Sequence, residues 1–169
     1  MTSLNNSSVI NNNTPLPYNW VVYHRDPTSN DFSINSYNKI LDITNIGELR
    51  AFNQLIDDDK LKKGHITIMK NNILPIYEDK ENENGGAWTL KVKEDMVPYY
   101  SKHYIINMII GNLIKTEKHG NDVNGIKICP RRGFSIIQIW TKSMNYNYED
   151  LVHGENITPS SFFFRKHSV

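Results

Sequence analysis

The chain has 169 residues, enough for one domain with a substantial core and too few for two domains of ordinary size. Its formal net charge of +1 excludes a global attraction to nucleic acid, so any such binding must depend on a local cluster of basic and aromatic side chains. The single cysteine, Cys129, excludes an intramolecular disulfide, and no Cys/His spacing is typical of a zinc site. We therefore expect a protein of the reducing cytoplasm with no metal and no cofactor.

Residues 1–13 are rich in Ser and Asn, which predicts a disordered leader before a single domain over residues 14–169. No apolar stretch near the N-terminus is typical of a signal peptide. The longest apolar candidate, residues 104–114, is interrupted by polar residues and is too short for a membrane span. The sequence thus predicts neither secretion nor membrane insertion.

The first half of the domain contains three predicted strands and one predicted helix. Aromatic and β-branched residues predict strands at 18–23, 36–41 and 65–70. Between the second and third strands, Thr44 is the predicted N-cap of an amphipathic helix over residues 44–55.

The second half alternates between loops, strands and helices. Asn, charged residues and two glycines predict a long loop over residues 71–87, and alternating apolar residues predict a strand at 88–93. A largely buried helix is predicted over residues 99–113. The last predicted elements are a hairpin of strands 125–129 and 134–141, a short helix at 148–153 and a strand at 161–165. Strands predominate over about three helices, which predicts an α+β domain with a mainly antiparallel sheet and helices on one face.

Tyr77 and Glu78 are adjacent in the loop after the third strand, so an aromatic face and a carboxylate emerge together at the rim of the sheet. An aromatic ring stacks on a base with about 1–3 kcal/mol and gains cation–π energy when the base is positively charged, as 7-methylguanine is. A carboxylate accepts both the imino and the amino protons of the guanine edge. In isolation, however, such a pair is more often plain surface.

The stretch 70–88 contains the pattern Lys-x-x-Ile-x-Pro-aromatic-Glu-Asp, then a polar segment, then Gly-Gly-x-Trp. This pattern resembles the central signature of the translation initiation factor 4E family. Pro15-Leu16 followed by Trp20 is similar to the family's His-Pro-Leu start and first tryptophan. The segment 122–141 is similar to its Asp-Val-x-Gly to Ile-Trp-Thr hairpin, so the resemblance extends over most of the chain.

The resemblance implies a fold, a function and partners. The fold is a curved sheet with the helices on its convex face and cap-binding loops at its concave face. The function is to bind the 7-methylguanosine 5′ cap of mRNA and to recruit capped mRNA for translation initiation, without catalysis. The partners are capped mRNA and a scaffold protein similar to initiation factor 4G, or a dedicated equivalent, bound by a monomer.

The resemblance also assigns the residues that contact the base. Tyr77 stands where the family has its second cap-stacking tryptophan, and Glu78 stands where it has the glutamate that reads guanine. The first stacking ring is assigned to Phe32, with Tyr37 as the alternative. Trp140 matches the tryptophan that touches the 7-methyl group. Both stacking positions thus have smaller rings than tryptophan, which implies a weaker sandwich.

The candidate phosphate contacts lie at the tip of the predicted hairpin. Arg131 matches an arginine that holds the cap phosphates, and its guanidinium suits bidentate contacts with phosphate oxygens. Arg132 is the second candidate, with a solvated turn as the alternative, and the basic residues in 165–167 either add charge or form a frayed tail. Two basic positions of the family are Ala87 and Ile136 here. We therefore expect preference for a cap context other than the bare cap, such as a particular or modified first transcribed nucleotide.

A dorsal surface in the family receives a Tyr-x-x-x-x-Leu-Φ helix from the scaffold factor 4G or from repressors. Pro15 and Ile46 fit the family pattern on this surface. Arg50 stands where the family has its key dorsal tryptophan, and Tyr104 falls in the altered cluster of the second helix. We expect a standard scaffold peptide to bind poorly and a dedicated partner to replace it.

Other interpretations stay open on the sequence alone. The acidic run Glu78, Asp79, Glu81 and Glu83 allows a divalent-metal cluster of a cap-hydrolysing enzyme, although its spacing is not typical and Cys129 has no evident His partner. The chain is alternatively a cap-binding repressor or decoy, or an interaction module derived from the family that no longer binds cap. The abundance of Asn, Ile and Lys and the short C-terminal tail are compatible with a viral or protist member.

Overall fold

Seven strands form one antiparallel sheet in the computed structural model, which describes residues 10–115 and 122–167. In chain order the strands are β1 (Pro15–Arg25), β2 (Tyr37–Asn45), β3 (His65–Lys70), β4 (Gly86–Lys93), β5 (Val123–Arg131), β6 (Phe134–Thr141) and β7 (Phe162–Lys166). Their order across the sheet is β2-β1-β3-β5-β6-β4-β7, and neighbouring strands are antiparallel. The curved, open sheet confirms the predicted α+β class.

Three α-helices of the described chain pack on the convex face of the sheet: α1 (Ile46–Leu55), α2 (Asp58–Lys63) and α3 (Val97–Ile109). α3 lies across β1, β4, β5 and β6, whereas α1 follows and contacts the edge strand β2. α2 packs against α3. Short 3-10 turns lie at Ile34–Ser36, Glu94–Met96, Tyr148–Asp150 and Pro159–Ser161.

The N-cap of the first helix lies one residue after the predicted N-cap, Thr44. The side chain of Asn45, not that of Thr44, caps α1 by accepting a hydrogen bond of 3.0 Å from the Glu48 N–H. Thr44 instead donates from its own N–H and hydroxyl to the Glu48 carboxylate, at 2.6 and 2.7 Å. The two residues thus divide the roles of a capping box, and the prediction of Thr44 as N-cap is wrong.

The predicted helix over residues 99–113 is α3, Val97–Ile109, which begins two residues earlier and ends four residues earlier. The structure also differs from the prediction at α2 and at residues 148–153. α2 was not predicted because it has only one buried residue, Leu61, in a charged hexapeptide, and its Asp57 cap rather than an apolar stripe marks its start. The short helix predicted at 148–153 is only the 3-10 turn Tyr148–Asp150.

Alternation along the strands gives the sheet two faces with different side chains. Ile126 and Ile128 of β5 pair with Ile139 and Ile137 of β6, and these four side chains join the core beneath the helices. Trp20 and Trp88 lie in the same core, as expected of structural tryptophans. The intervening residues of β5 and β6 face the other side of the sheet, where the candidate site lies.

The predicted leader lies partly outside the described residues, which exclude 1–9. Within the described part, Asn12 accepts hydrogen bonds from the Gly47 N–H (2.8 Å) and from the Arg50 guanidinium (2.6 Å). The domain boundary at residue 14 therefore stays a prediction. In the described ranges, no helix has the length and apolar character needed to cross a membrane.

Candidate functional site

A cavity of about 360 Å³ opens on the face of the sheet opposite the helices. It collects residues from both ends of the sequence, because β2, β3, β5, β6 and β7 and the loops after β1 and β3 all contribute to it. Six of its lining residues are candidates from the sequence: Phe32, Tyr37, Tyr77, Glu78, Arg131 and Trp140. The others are His65, Pro75, Ile76, Lys127, Cys129, Ile136, Gln138 and Arg165.

The buried side chain of Asn82 fixes the loop that carries the Tyr-Glu pair. Its amide group donates to the carbonyl oxygens of Leu74 (2.9 Å) and Ile76 (2.8 Å), and its Oδ1 accepts from Asn124 of β5 (3.0 Å). Leaving a buried polar group unpaired costs about 1–3 kcal/mol, so this network strongly favours one loop conformation. The loop is thereby fastened to the sheet beside the cavity.

The Gly-Gly-x-Trp motif serves packing around the same loop. A Cβ on Gly85 would clash with the carbonyl oxygen of Thr141, and a Cβ on Gly86 would clash with the ring of Phe164. Glycine is therefore required where the chain passes closely between β6 and β7. Trp88 faces the core and stacks on a phenylalanine of β7 with centroids 5.6 Å apart.

Three rings contact one another, and two of them, Tyr77 and Trp140, line the cavity. The Tyr77 centroid lies 5.0 Å from Trp140 and 4.6 Å from His167, and Trp140 lies 4.6 Å from His167. If Trp140 and His167 covered opposite faces of Tyr77, their separation would approach the sum of the first two distances. Both rings therefore lie against the same face of Tyr77, a residue that is 37% exposed and lines the cavity.

Glu78 differs from its acidic neighbours because its carboxylate has no hydrogen bond or ion pair from the described part of the chain. Asp79 accepts from the N–H groups of Leu74 and Glu81, both at 2.9 Å, and Glu81 forms an ion pair with Lys142 at 2.6 Å. No group of three metal-ligating side chains occurs among the described residues. The acidic run thus separates into structural partners and one carboxylate that faces the cavity.

The two candidates for the first stacking ring differ in exposure. Tyr37 is 9% exposed, its hydroxyl accepts a 2.7 Å hydrogen bond from Lys127, and burial raises its pKa to about 12. Phe32 is 66% exposed, and the guanidinium of Arg25 lies 4.3 Å from its ring centroid, over one face. Two backbone carbonyls of the same loop hold that guanidinium in place. Phe32 is therefore the candidate with an accessible face.

Three basic side chains line the cavity at different depths. Arg131 and Arg165 are exposed at its mouth, whereas Lys127 is only 8% exposed and its Nζ lies 5.4 Å from the Trp140 centroid. Arg132 is exposed but does not line the cavity, because β5 ends at Arg131 and the next residue belongs to the turn. The structure therefore does not bring Arg132 to the site.

Cys129 has a histidine neighbour that the sequence did not reveal. Its Sγ lies 3.3 Å from Nε2 of His65, and Nδ1 of His65 lies 3.2 Å from the Arg25 guanidinium. Burial raises the pKa of the Cys129 thiol, and burial, with the positive charges of Lys127 and Arg25, lowers the pKa of His65 to about 3. A neutral thiol beside a neutral imidazole is not an activated nucleophile, so the pair forms part of the cavity wall.

Lys127, His65 and the role of His167 were not predicted from the sequence. The alternation of Lys127, Cys129 and Arg131 along β5 is a signal that places the lysine on the same face as the predicted arginine. His167 has no comparable signal. Its place follows from the pairing of β7 with β4 and from hydrogen bonds that join it to Asn82 and Gly85.

Among the dorsal candidates, Pro15 and Arg50 are exposed, Ile46 is half-buried and Tyr104 is buried. Pro15 pairs with Asn45, the residue before Ile46, and Arg50 is exposed on α1. Tyr104 is completely buried, and its ring is stacked nearly parallel on that of Phe162 with centroids 6.0 Å apart.

Because Tyr104 lies in the core, it is not available to a partner, and its assignment to the dorsal surface needs correction. The exposed apolar residues of α3 are instead Tyr99 and Ile106, followed by Ile110 at its end. These positions follow helical spacing and form one stripe on the outer side of the helix.

A family model described as eukaryotic initiation factor 4E matches residues 15–157. The chain belongs to this family. The matched region contains six of the seven strands and all three helices described here, and it ends before β7. The initiation factor 4E resemblance of the sequence is thereby confirmed.

The relatives within the initiation factor 4E family are distant. The chain is 26% identical over 137 residues to eukaryotic translation initiation factor 4E of Candida albicans, covering 76% of this chain and 64% of that protein. It is also 26% identical over 137 residues to initiation factor 4E-1 of Lactuca sativa, covering 76% and 55%. The chain therefore spans less than two thirds of the length of these relatives.

Solved structures of the family share the fold. A schistosome eIF4E complexed with m7GpppA and 4E-BP has a TM-score of 0.67 at 21% identity, covering 79% of this chain and 74% of that one. Ascaris suum eIF4E-3 in complex with the m7G cap has a TM-score of 0.65 at 19% identity, covering 79% and 76%.

His65 makes the stability of this 4E-family domain depend on pH. Because its pKa falls from 6.5 to about 3 on folding, the unfolded chain binds a proton between these values that the folded chain does not. The free energy of unfolding is therefore expected to decrease as the pH falls through this window, by up to about 1.4 kcal/mol per pH unit from this site.

Urea unfolding of wild type and His65→Gln at several pH values between 7 and 4 measures this contribution. The slope of the free energy of unfolding against pH should be shallower in the variant, by up to about 1.4 kcal/mol per pH unit. Burial also lowers the pKa values of His153 and His167, but their contributions are common to both proteins and cancel in the comparison. Parallel curves for the two proteins would show that His65 is protonated equally in both states.

Proposed function

We propose that this chain binds the 5′ cap of mRNA in the cavity described above and recruits capped mRNA for translation initiation in the cytoplasm, as a binding protein without catalysis. The observation that carries the proposal is the convergence of Tyr77, Glu78 and Trp140 on one cavity. An accessible aromatic ring beside an unpaired carboxylate suits a guanine base. Guanine has a π-surface that stacks on the ring and an edge of adjacent donors that binds the carboxylate.

The base stacks on the face of Tyr77 that lies away from Trp140 and His167. Trp140 and His167 support the opposite face of that ring, so they hold it without occupying the ligand's position. Phe32 supplies the second ring because its accessible face lines the same cavity. Stacking on each ring contributes about 1–3 kcal/mol.

The guanine edge meets Glu78 and the phosphates meet the basic mouth of the cavity. A carboxylate accepts the two adjacent guanine protons, and charge-assisted hydrogen bonds of this kind contribute about 1.5–3 kcal/mol. Arg131 and Arg165 offer guanidinium groups to phosphate oxygens. The cap complexes solved for the Ascaris and schistosome proteins support the same use of the fold. Preference for a particular first transcribed nucleotide stays a prediction.

Removal of the Glu78 carboxylate should weaken cap binding specifically. We expect Glu78→Ala to raise the Kd for 7-methyl-GTP by about 10- to 100-fold, since the guanine protons lose a charged acceptor. Tryptophan fluorescence titration and retention on cap-affinity resin measure the effect. Glu83→Ala is the matched control, because Glu83 is an exposed carboxylate of the same loop that does not line the cavity.

Equal binding by wild type and Glu78→Ala would contradict the assigned role of Glu78. Absence of wild-type binding to the resin would favour the alternative that the chain is an interaction module without cap binding.

The second half of the proposal concerns the partner. A scaffold protein similar to initiation factor 4G, or a dedicated equivalent, binds the surface around Pro15, Ile46 and Arg50. The exposed apolar stripe of α3 at Tyr99 and Ile106 extends the apolar area on the helical side of the sheet. The schistosome structure, a complex with 4E-BP, supports a partner site in this fold.

A Tyr-x-x-x-x-Leu-Φ peptide should bind this chain weakly, because Arg50 places an exposed guanidinium where the family has a dorsal tryptophan. Arg50→Trp should strengthen peptide binding by about tenfold, the contribution of a typical aromatic anchor at an interface. Fluorescence anisotropy with a labelled peptide measures both affinities. The control is Arg132→Trp, at an exposed residue of the turn between β5 and β6, which should leave peptide binding unchanged. Tight binding of the peptide by the wild-type protein would contradict the predicted weak affinity.

A further inference from the structure

The aromatic rings of the cavity already contact cations of the protein itself. The Arg25 guanidinium lies 4.3 Å from the Phe32 centroid, and the Lys127 ammonium lies 5.3 Å from Tyr37 and 5.4 Å from Trp140. We infer that Lys127 lowers the selectivity of this site for a positively charged 7-methylated guanine over a neutral guanine. This inference rests on the proposed cap-binding function and concerns how well the same cavity distinguishes methylated from unmethylated guanine.

Lys127 has no counter-ion among the described residues. Its Nζ donates to the Tyr37 hydroxyl at 2.7 Å, and no carboxylate of the described chain forms an ion pair with it. Glu78 is the one carboxylate among the lining residues, against three basic side chains. Burial lowers the pKa of Lys127, as expected of an ammonium group that has lost water without gaining a counter-ion.

A cationic base in this cavity meets an unfavourable charge that a neutral base does not. A base stacked on Tyr77 lies in the cavity that Lys127 also lines, a partly dry site where screening between charges is weak. Repulsion between two such charges at an intermediate dielectric changes a binding constant by about tenfold or more.

The other contacts of the ligand do not depend on the base charge. Stacking on Tyr77 and hydrogen bonding to Glu78 are available to guanine with or without the 7-methyl group. The basic groups attract the phosphates of both nucleotides equally. Lys127 therefore alters the ratio of the two affinities rather than the ability to bind a guanine nucleotide.

The test is the ratio of the Kd for GTP to the Kd for 7-methyl-GTP, measured by isothermal titration calorimetry. We expect Lys127→Met to raise this ratio by about tenfold, because the repulsion acts on the methylated nucleotide alone. Lys127→Gln, which keeps a donor for the Tyr37 hydroxyl, should raise it similarly. The ratio is formed within one protein, so a loss of stability common to both measurements cancels.

Lys91→Met is the matched control, because Lys91 also lies over an aromatic ring, 4.2 Å from the Phe134 centroid, but does not line this cavity. Its ratio should equal that of wild type. An unchanged or lower ratio in both Lys127 variants, with binding that still depends on Glu78, overturns the inference and leaves the proposed function intact. A wild-type protein that binds neither nucleotide overturns both.

Discussion

The antiparallel register of β5 with β6 is the constraint on which both faces of the molecule depend. Ile126 and Ile128 lie opposite Ile139 and Ile137, and these pairs form the core beneath α3. The alternate pairs, such as Lys127 with Gln138, line the cavity on the other face. A slip of one residue would bury the lysine under the helices and expose the isoleucines, so the hydrophobic core and the cavity are specified by one register.

The loop between β3 and β4 adds the second requirement, which is a fixed position for Tyr77 and Glu78. Asn82 joins this loop to β5 through Asn124, and the backbone of Asn82 also accepts a 2.8 Å hydrogen bond from His167 after β7. Through its side chain and its backbone carbonyl, Asn82 thus connects three separate segments around the cavity. A rigid support of this kind reduces the conformational entropy that a ligand must offset when it orders a binding site.

The parts of this molecule that were predictable from sequence are those with local signals. Alternation and turn residues located the β5–β6 hairpin, and the Tyr-Glu and Gly-Gly-x-Trp motifs located the loop beside the cavity. The buried environment of Lys127 and His65 was not predictable, because it depends on which strands become neighbours across the sheet. Tyr104 was misplaced because α3 has apolar residues on both sides, at Tyr104 inside and Ile106 outside, so periodicity alone does not identify its buried face.

The most direct test of the proposed cap-binding site is a crystal structure of the protein with 7-methyl-GTP. We predict that the base lies on the face of Tyr77 away from Trp140, with its donor edge against the Glu78 carboxylate and its phosphates at Arg131 and Arg165. A nucleotide bound elsewhere on the sheet, or a base edge that does not contact Glu78, would contradict the proposed role of the cavity.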